Sequence, residues 1–510
     1  MNAITEVLFK LTTRRPFMVI LVVMLLSMAA AYGGSKLIFK GDYRVFFGDE
    51  NPQLIAFEKT QATFTKNDNV AFIIAPKDKI VFKEKTLTAV HALTTAAWQI
   101  PYSNRVDSIT NYQHTTADGD NLLVEDLVLE PELISQLDME KLKDIALNEP
   151  LLLKKLIAAD ASVTIVNTTV QLPGIDQANE VSEITEKVRA IQAEMQQDYP
   201  ELDIYLSGMV MMNNAFSEAS LNDMSTLVLL MFAVVALVII LLLRTISGSL
   251  ATIIVVALSI VGTMGLVGWL GFFLTGPSAS APTVIMTLAV ADCIHILTTM
   301  LYEMRQGVKK KEAILDSLRI NFQPILLTSL TTAIGFLSMN FSDSPPFNDL
   351  GNFVAIGVML AFTFSITLFP ALLMVLPIRV KLDSEKSNDF MDNIADFVIA
   401  KKRILLPVFS VLIITFAVFV PQNTLNDDFV KYFDSSVPFR QATDFMQDNV
   451  SGLTTLEIAI NSGESSGINQ PKFLQLLSDF SDWVRSQEET DNVSILSDVL
   501  RRLNLSLIHI

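Results

Sequence analysis

The chain has 510 residues, 51% of them hydrophobic and only 18% charged, with a formal net charge of −17. A soluble protein of this length carries about a quarter charged residues, so an ordinary soluble globular chain is excluded, and the acidic balance argues against nucleic acid as a partner. The single cysteine, Cys293, excludes an intrachain disulfide.

Apolar windows of about 20 residues, enough helix to cross ~30 Å of hydrocarbon, recur along the chain. The first is predicted over Phe17–Ile38, after Arg14, Arg15 and Pro16. The small residues of MAAAYGG leave a cleavable signal peptide as the alternative, although the apolar run is long for one. Residues 1–39 are therefore read as a first membrane helix with a cytoplasmic N-terminus.

Residues 40–222 hold 28 Asp and Glu against 15 Lys and Arg, a balance of −13, and read as a first periplasmic α+β domain. Strand NVAFIIAP, a helix over 84–98 and strand VDSITNY form one βαβ unit; SVTIVNTTV, a helix over 176–197 and LDIYLSG form another. Two such units make a split βαβ, ferredoxin-like sheet. The insertion LEPELISQLDMEKLKDIALNEPLLLKKLIAA looks helical and amphipathic, either a packing element or a flap over a hydrophobic cargo path.

Five further spans, at Met224–Leu243, Leu250–Leu274, Pro282–Tyr302, Phe322–Phe341 and Phe353–Ile378, form a bundle over 223–378. A cytoplasmic linker over 379–403 leads to a seventh span at Ile404–Val420, within 404–421. Lys and Arg in the connections set the orientation. Lys10, Arg14 and Arg15, then Arg244, then Arg305, Lys309, Lys310, Lys311 and Arg319, then Arg379, Lys381, Lys386, Lys401, Lys402 and Arg403 fall on one side, whereas TGPSAS and SDSPPFND carry none. This places the N-terminus in the cytoplasm and the large segments outside. The linker MRQGVKKKEAILDSLRINF is expected to lie along the headgroups as a basic amphipathic helix.

In the third predicted span Gly262, Gly265, Gly268 and Gly271 recur every three residues. Small residues let helix backbones approach, so packing is expected, with sliding along a smooth face as the alternative. The fourth span contains VADCIHIL. A carboxylate at Asp292, near its middle, costs ~2.5–3.5 kcal/mol to insert, and such groups survive facing a partner or a polar cavity. A carboxyl that takes a proton at one membrane face and releases it at the other is what proton coupling requires. His295, three residues on, is expected to share its helical face, and imidazole ordinarily titrates near neutral pH. Thr287 and Thr298 lie a turn or two away. The bland alternative is a buried Asp–His pair that fixes packing. Cys293 points away from that face.

A metal site is disfavoured because His91, His114 and His509 lie outside the spans, and no cofactor is expected. No second intramembrane Asp or Ser–His–Asp set accompanies Asp292, so the chain is read as a non-enzyme. The fifth span offers Thr328, Ser329, Thr331 and Thr332, hydroxyls that either face Asp292 or bond back to their own helix.

The chain also repeats itself at long range. GDYRVFF follows span one and DDFVKYF follows span seven: Asp42 matches Asp428, Tyr43 matches Phe429, and Phe46–Phe47 match Tyr432–Phe433. Each copy then offers a strand (NVAFIIAP, TLEIAIN), a helix and a second strand (VDSITNY, VSILSDV). Asp42, Tyr43, Phe46 and Phe47 read as an aromatic interface anchor or, more sharply, a cargo gate. Residues 422–510 then form an incomplete second periplasmic α+β domain, after which symmetry calls for its remainder and five more spans.

A span, a βαβ-bearing outer domain, five spans, and the same again: this plan resembles the RND superfamily of exporters. The closer likeness is to the MMPL-type, hydrophobe-exporting branch related to sterol-sensing-domain proteins. GDYRVFFGDENP, VADCIHIL, PILLTSLTTAIGFLSM and SDSPPFNDLGNFVAIGVM carry the resemblance. It implies a polytopic α-helical membrane protein with ferredoxin-like extracytoplasmic domains in an RND-like duplicated architecture. It also implies proton-motive-force-driven export of hydrophobic or lipid-like molecules from the inner membrane, with an acidic residue at the position of Asp292 in the relay. Expected partners are lipid-like cargo, membrane lipid, protons, further copies of the chain as a dimer or trimer, and a periplasmic adaptor. A lipid- or sterol-sensing receptor without transport, or a protein-export subunit of the same superfamily, are the alternatives.

Overall fold

The computed structural model describes residues 3–64, 68–118, 121–128, 131–174, 177–243, 245–378, 380, 389–423 and 428–504. Arg244, Arg379, Lys381, Lys386 and His509 lie outside the described residues. The chain divides into a helical unit (1–40, 45–48 and 219–428) and an α+β unit (41–44, 49–218 and 429–510).

Among the described residues, seven helices are long and apolar enough to cross a membrane: Pro16–Lys36, Met209–Leu241, Ile246–Trp269, Ser278–Arg305, Lys310–Phe341, Pro345–Val375 and Asn393–Gln422. A helix is the natural state of such segments because it satisfies every backbone polar group internally. Within the helical unit the sixth is the most buried, with 67% of its most apolar stretch buried; the third and fourth follow at 50%, while no residue of that stretch of the seventh is buried. Cys293, Ile296, Leu297 and Met300 of the fourth helix belong to one buried apolar cluster, with Val255 of the third and Phe362 of the sixth. Cys293 is thus a core residue.

Several boundaries differ from expectation; the second helix, for one, begins at Met209 rather than Met224. The fifth span does not open at Phe322 behind a separate surface helix; one helix runs unbroken from Lys310 to Leu337, with Pro324 inside it. The connector's apolar residues Ala313, Ile314 and Leu318 are buried against protein rather than lipid, and Lys310 Nζ caps the end of the sixth span by donating to Met374 O (3.1 Å) and Leu376 O (2.7 Å). The sixth span starts at Pro345, breaks at Thr367 (φ −116°, ψ −65°) and resumes over Leu368–Val375. Pro370 accounts for the break, since its ring conflicts with the carbonyl four residues earlier. The helix of the seventh span begins at Asp389. A short N-terminal helix, Ala3–Arg14, also packs here: Phe9 is fully buried and meets the Phe322 ring edge-on at 5.7 Å, and Arg319 grips Glu6 through two bonds of 2.8 and 3.2 Å.

In the α+β unit, β1 (Asp68–Pro76), β2 (Ser103–Asp107), β5 (Thr164–Val170) and β6 (Leu202–Ser207) form an antiparallel sheet ordered β2-β5-β1-β6. Helix Glu84–Ala97 joins β1 to β2 and helix Gln177–Asp198 joins β5 to β6, which is the split βαβ order. Central β1 pairs Ile73 with Ile165 on one side and Tyr205 on the other. Its run Val70 to Ile74 is buried throughout, as a strand covered on both faces requires. Helix Pro438–Asn449 supplies cover at β6: Tyr205 and Phe445 rings lie 4.8 Å apart, and the buried Ser207 and Thr443 hydroxyls are bonded at 2.8 Å.

β2 ends at Asp107, earlier than VDSITNY suggests. Asn111 pulls the chain into a turn, accepting from Ser108 N (2.8 Å) and donating to Val106 O (2.7 Å). A hairpin not anticipated from sequence follows, β3 (Gln113–Asp118) and β4 (Asn121–Asp126). Among its described residues, the expected helical insertion contains the helix Met139–Asn148, N-capped by Asp138, and a 3-10 turn, Pro131–Gln136, as its helical elements. At Gly208 (φ +105°) a Cβ would stand 2.6 Å from Asn69 O, so only glycine lets β6 turn into helix Met209–Ser225 there.

The repeat folds alike at its start. A four-residue 3-10 turn and then a 12-residue helix occur as Tyr43–Phe46 and Pro52–Thr63 in the first copy, and as Phe429–Tyr432 and Pro438–Asn449 in the second. The two strands expected in the second copy do not form. TLEIAIN has no strand pairing and leaves Leu456 83% exposed, and VSILSDV runs into the helix Leu496–Asn504. An alternating segment needs a ladder partner to become a strand, and none is offered among the described residues.

Candidate functional site

Pro282 opens the fourth-span helix, Ala281–Arg305, where a missing N–H is tolerated. Asp292 lies near its midpoint and is buried, 7% exposed. From the fifth span the equally buried Ser329 donates its Oγ to Asp292 Oδ2 at 3.4 Å. That bond is long, so the carboxyl sits in an apolar bundle with one weak hydroxyl contact. A carboxyl so placed can hold a proton, and releasing it leaves a buried charge that needs a partner or water brought to it.

His295 does not join Asp292 inside the bundle; it stands on the exposed side of the same helix. Three residues advance a helix by about 300°, and the boundary between buried and exposed passes through the remaining gap. Thr287 and Thr298 bond back to their own helix, at Thr283 O (2.9 Å) and Ile294 O (2.8 Å). On the fifth span Thr328 and Thr331 are exposed and do the same, to Pro324 O (2.9 Å) and Leu327 O (2.8 Å); Thr332 is half-buried. Of the four hydroxyls, Ser329 is the one bonded to Asp292.

Sequence reading missed a second polar tie between these helices. Ser317 Oγ donates to Ile296 O (2.6 Å), and Asn321 Nδ2 donates to Thr299 Oγ1 (2.9 Å). The four-residue spacing of Ser317 and Asn321 was a usable signal, hidden because that segment reads as a basic surface connector. Among the described residues, no group of three or more His, Cys, Asp and Glu is arranged to hold a metal ion.

The third-span glycines divide into two kinds. A Cβ on Gly265 would overlap Ala30 O, one on Gly268 would overlap Gly33 O, and one on Gly262 would come within 2.8 Å of Leu360 Cδ2. The first and third spans therefore cross backbone against backbone. Gly271 has open space around it and lies past the helix end at φ +80°, where the chain reverses and Gly271 N bonds to Gly268 O (3.2 Å).

Asp42 and Tyr43 belong to the α+β unit, Phe46 and Phe47 to the helical unit. Asp42 is buried and accepts from Arg44 N (2.8 Å), and Arg44 Nη2 bridges to both oxygens of Asp68 at 3.2 Å. Tyr43 packs edge-on to Phe57 at 6.4 Å. Phe46 is half-buried and Phe47 is 36% exposed. Arg44 and Asp68, which fix this turn, were not singled out from sequence.

Burial pushes the Tyr43 phenol up to about 12. The folded state thus holds this proton more tightly than the unfolded chain, whose tyrosines titrate near 10. Its contribution to stability is full below about pH 10 and is lost between roughly pH 10 and 12. In a thermal-unfolding series across that window, Tyr43→Phe is expected to flatten the pH dependence; an unchanged slope would show that Tyr43 is not the group responsible.

Residues 48–391 match the sequence model of the MMPL family. A membrane protein of Methanocaldococcus jannaschii is 20% identical over 373 residues, 71% of this chain and 91% of that protein. The membrane protein YdgH of Bacillus subtilis is 21% identical over 56% of this chain and 32% of its own length. The multidrug resistance protein MdtC of Pectobacterium atrosepticum is 27% identical over 30% of this chain and 15% of its own. The matched region is thus about a third of YdgH and less of MdtC. With seven apolar helices among the described residues and a family match over most of its length, this chain is a multi-pass membrane protein belonging to the MMPL family.

Proposed function

We propose that the protein is a proton-driven exporter of hydrophobic or lipid-like molecules, in which Asp292 takes up and releases the coupling proton. The observation that carries this reading is the buried carboxyl midway along the fourth span, held by the Ser329 hydroxyl of the fifth. A carboxylate there is costly, and a role for its protonation in the working cycle accounts for its being kept. Relatives named for multidrug resistance support transport as the class of activity. Ser329 is the partner that follows the proton, and His295 acts from the exposed face of the helix. Thr328, Thr331 and Thr332 are assigned to the helix surface around them.

In this reading the protein sits in the inner membrane with its N-terminus in the cytoplasm, in keeping with the Lys and Arg of the connections. The α+β unit lies in the periplasm and forms part of the cargo path, with Asp42, Tyr43, Phe46 and Phe47 near its start. Copies of the chain and an adaptor are its expected partners.

The test is efflux of a fluorescent lipid analogue from proteoliposomes holding the full-length protein, with and without an imposed proton gradient. Efflux that accelerates with the gradient and collapses with a protonophore is expected. Efflux at one rate under both conditions would overturn the proposal.

A further inference from the structure

At one end of the first and third spans, two lysines are held in place by aromatic rings. Lys36 Nζ lies 3.8 Å from the centre of the Trp269 ring, and Lys40 Nζ lies 3.4 Å from that of Phe273. Both lysines are exposed, and the rings are themselves 48% and 40% exposed, at the level where the spans end. Neither placement is left to side-chain chance. The glycine crossing at Gly33, Gly265 and Gly268 brings the two helix ends together. Trp269 is fixed by its own Nε1 bond to Ala29 O (3.1 Å) and by the Tyr32 ring at 5.7 Å.

The turn at Gly271 then lays Leu274 alongside the departing first span. Lys40 N bonds to Leu274 O (2.8 Å) and Leu274 N to Ile38 O (2.9 Å), which sets Phe273 under Lys40. Among the described residues neither ammonium has a carboxylate within ion-pair distance; Asp349 acts on Lys40 from further away.

We infer that this paired lysine–aromatic cluster is a binding site for the phosphate of an anionic phospholipid. A ring face holds each ammonium by cation–π attraction while leaving N–H donors free for phosphate oxygens. The exposed rings and the apolar helix surface beside them suit the glycerol and upper acyl chain. A lysine at the end of a span commonly snorkels with no fixed direction. Here two are directed by rings and a backbone bridge, and among the described residues no carboxylate lies within ion-pair distance of either. A lipid headgroup is the occupant rather than free phosphate, because the site lies where the spans end and pairs each ammonium with an exposed aromatic ring. The inference stands apart from the export proposal and does not require it.

The experiment places the full chain in nanodiscs of phosphatidylcholine with a minor fraction of phosphatidylglycerol and counts retained lipids by native mass spectrometry. Phosphatidylglycerol is expected to be enriched over its bulk fraction. Lys36→Gln and Lys40→Gln should each lower that enrichment about fivefold, Lys36→Arg and Lys40→Arg should keep it, and Lys85→Gln in the α+β unit should leave it unchanged. Inorganic phosphate at millimolar concentration should not displace the lipid, and rising salt should weaken retention of the unaltered protein. Unchanged enrichment in the Lys36→Gln/Lys40→Gln double variant would overturn the inference, as would retention insensitive to salt. Displacement by inorganic phosphate would overturn the lipid assignment. Should the double variant fail to accumulate, the arginine variants and the salt series decide.

Discussion

Asp292→Asn is expected to slow gradient-driven efflux by the full-length protein by on the order of 100-fold, the low end of what a positioned proton-transfer group contributes. The amide keeps the size of the side chain and its contact with Ser329 but cannot carry the coupling proton. Because a neutral amide is easier to bury than a carboxylate, the variant should reach the membrane at least as abundantly as the unaltered protein. Ser329→Ala should cost only a few-fold, since its bond to Asp292 is long, at 3.4 Å. The check is initial efflux rate per reconstituted molecule; a rate near normal in Asp292→Asn would remove the coupling role.

Gly265→Val should be the most damaging single change to the helical unit. Its Cβ would overlap the carbonyl of Ala30, a backbone atom that cannot swing aside, so the first and third spans would have to part. Overpacking of this kind costs about 1–3 kcal/mol, with backbone contacts toward the upper end. Gly335 sets the contrast: it lies within the fifth-span helix with open space around it. Gly335→Ala should therefore be neutral or gain up to about 1 kcal/mol from helix propensity. Thermal unfolding of the purified full chain separates the two, and equal shifts would contradict the crossing.

The membrane character, the seven apolar helices and the βαβ order were legible because each rests on a local pattern: a long apolar run, or strand alternation beside a helical period. The helix boundaries were not. The segment from Lys310 to Asn321 reads as a basic surface helix, but Ala313, Ile314 and Leu318 bury against the bundle and carry the fifth span through Pro324. TLEIAIN carries the alternation of a strand and NVAFIIAP a continuous apolar run, yet of the two only the latter is a strand, because pairing with β5 and β6 is a property of the fold and not of the segment.

The candidate site was legible in part. Asp292 announces itself as a carboxylate in an apolar run. Which of four nearby hydroxyls meets it depends on how the fifth span is rotated, and the sequence does not set that rotation. His295 shows the same limit, since helical spacing brings it near Asp292 but places it across the boundary between core and surface. Arg44 and Asp68, separated by 24 positions, meet only through the fold.

Proton movement recorded with a pH-sensitive dye inside vesicles, as cargo is added to the full-length protein, bears most directly on coupling through the fourth-span carboxyl. Cargo should trigger a proton flux in the unaltered protein and none in Asp292→Asn. Equal fluxes in both would show that the proton travels by another route.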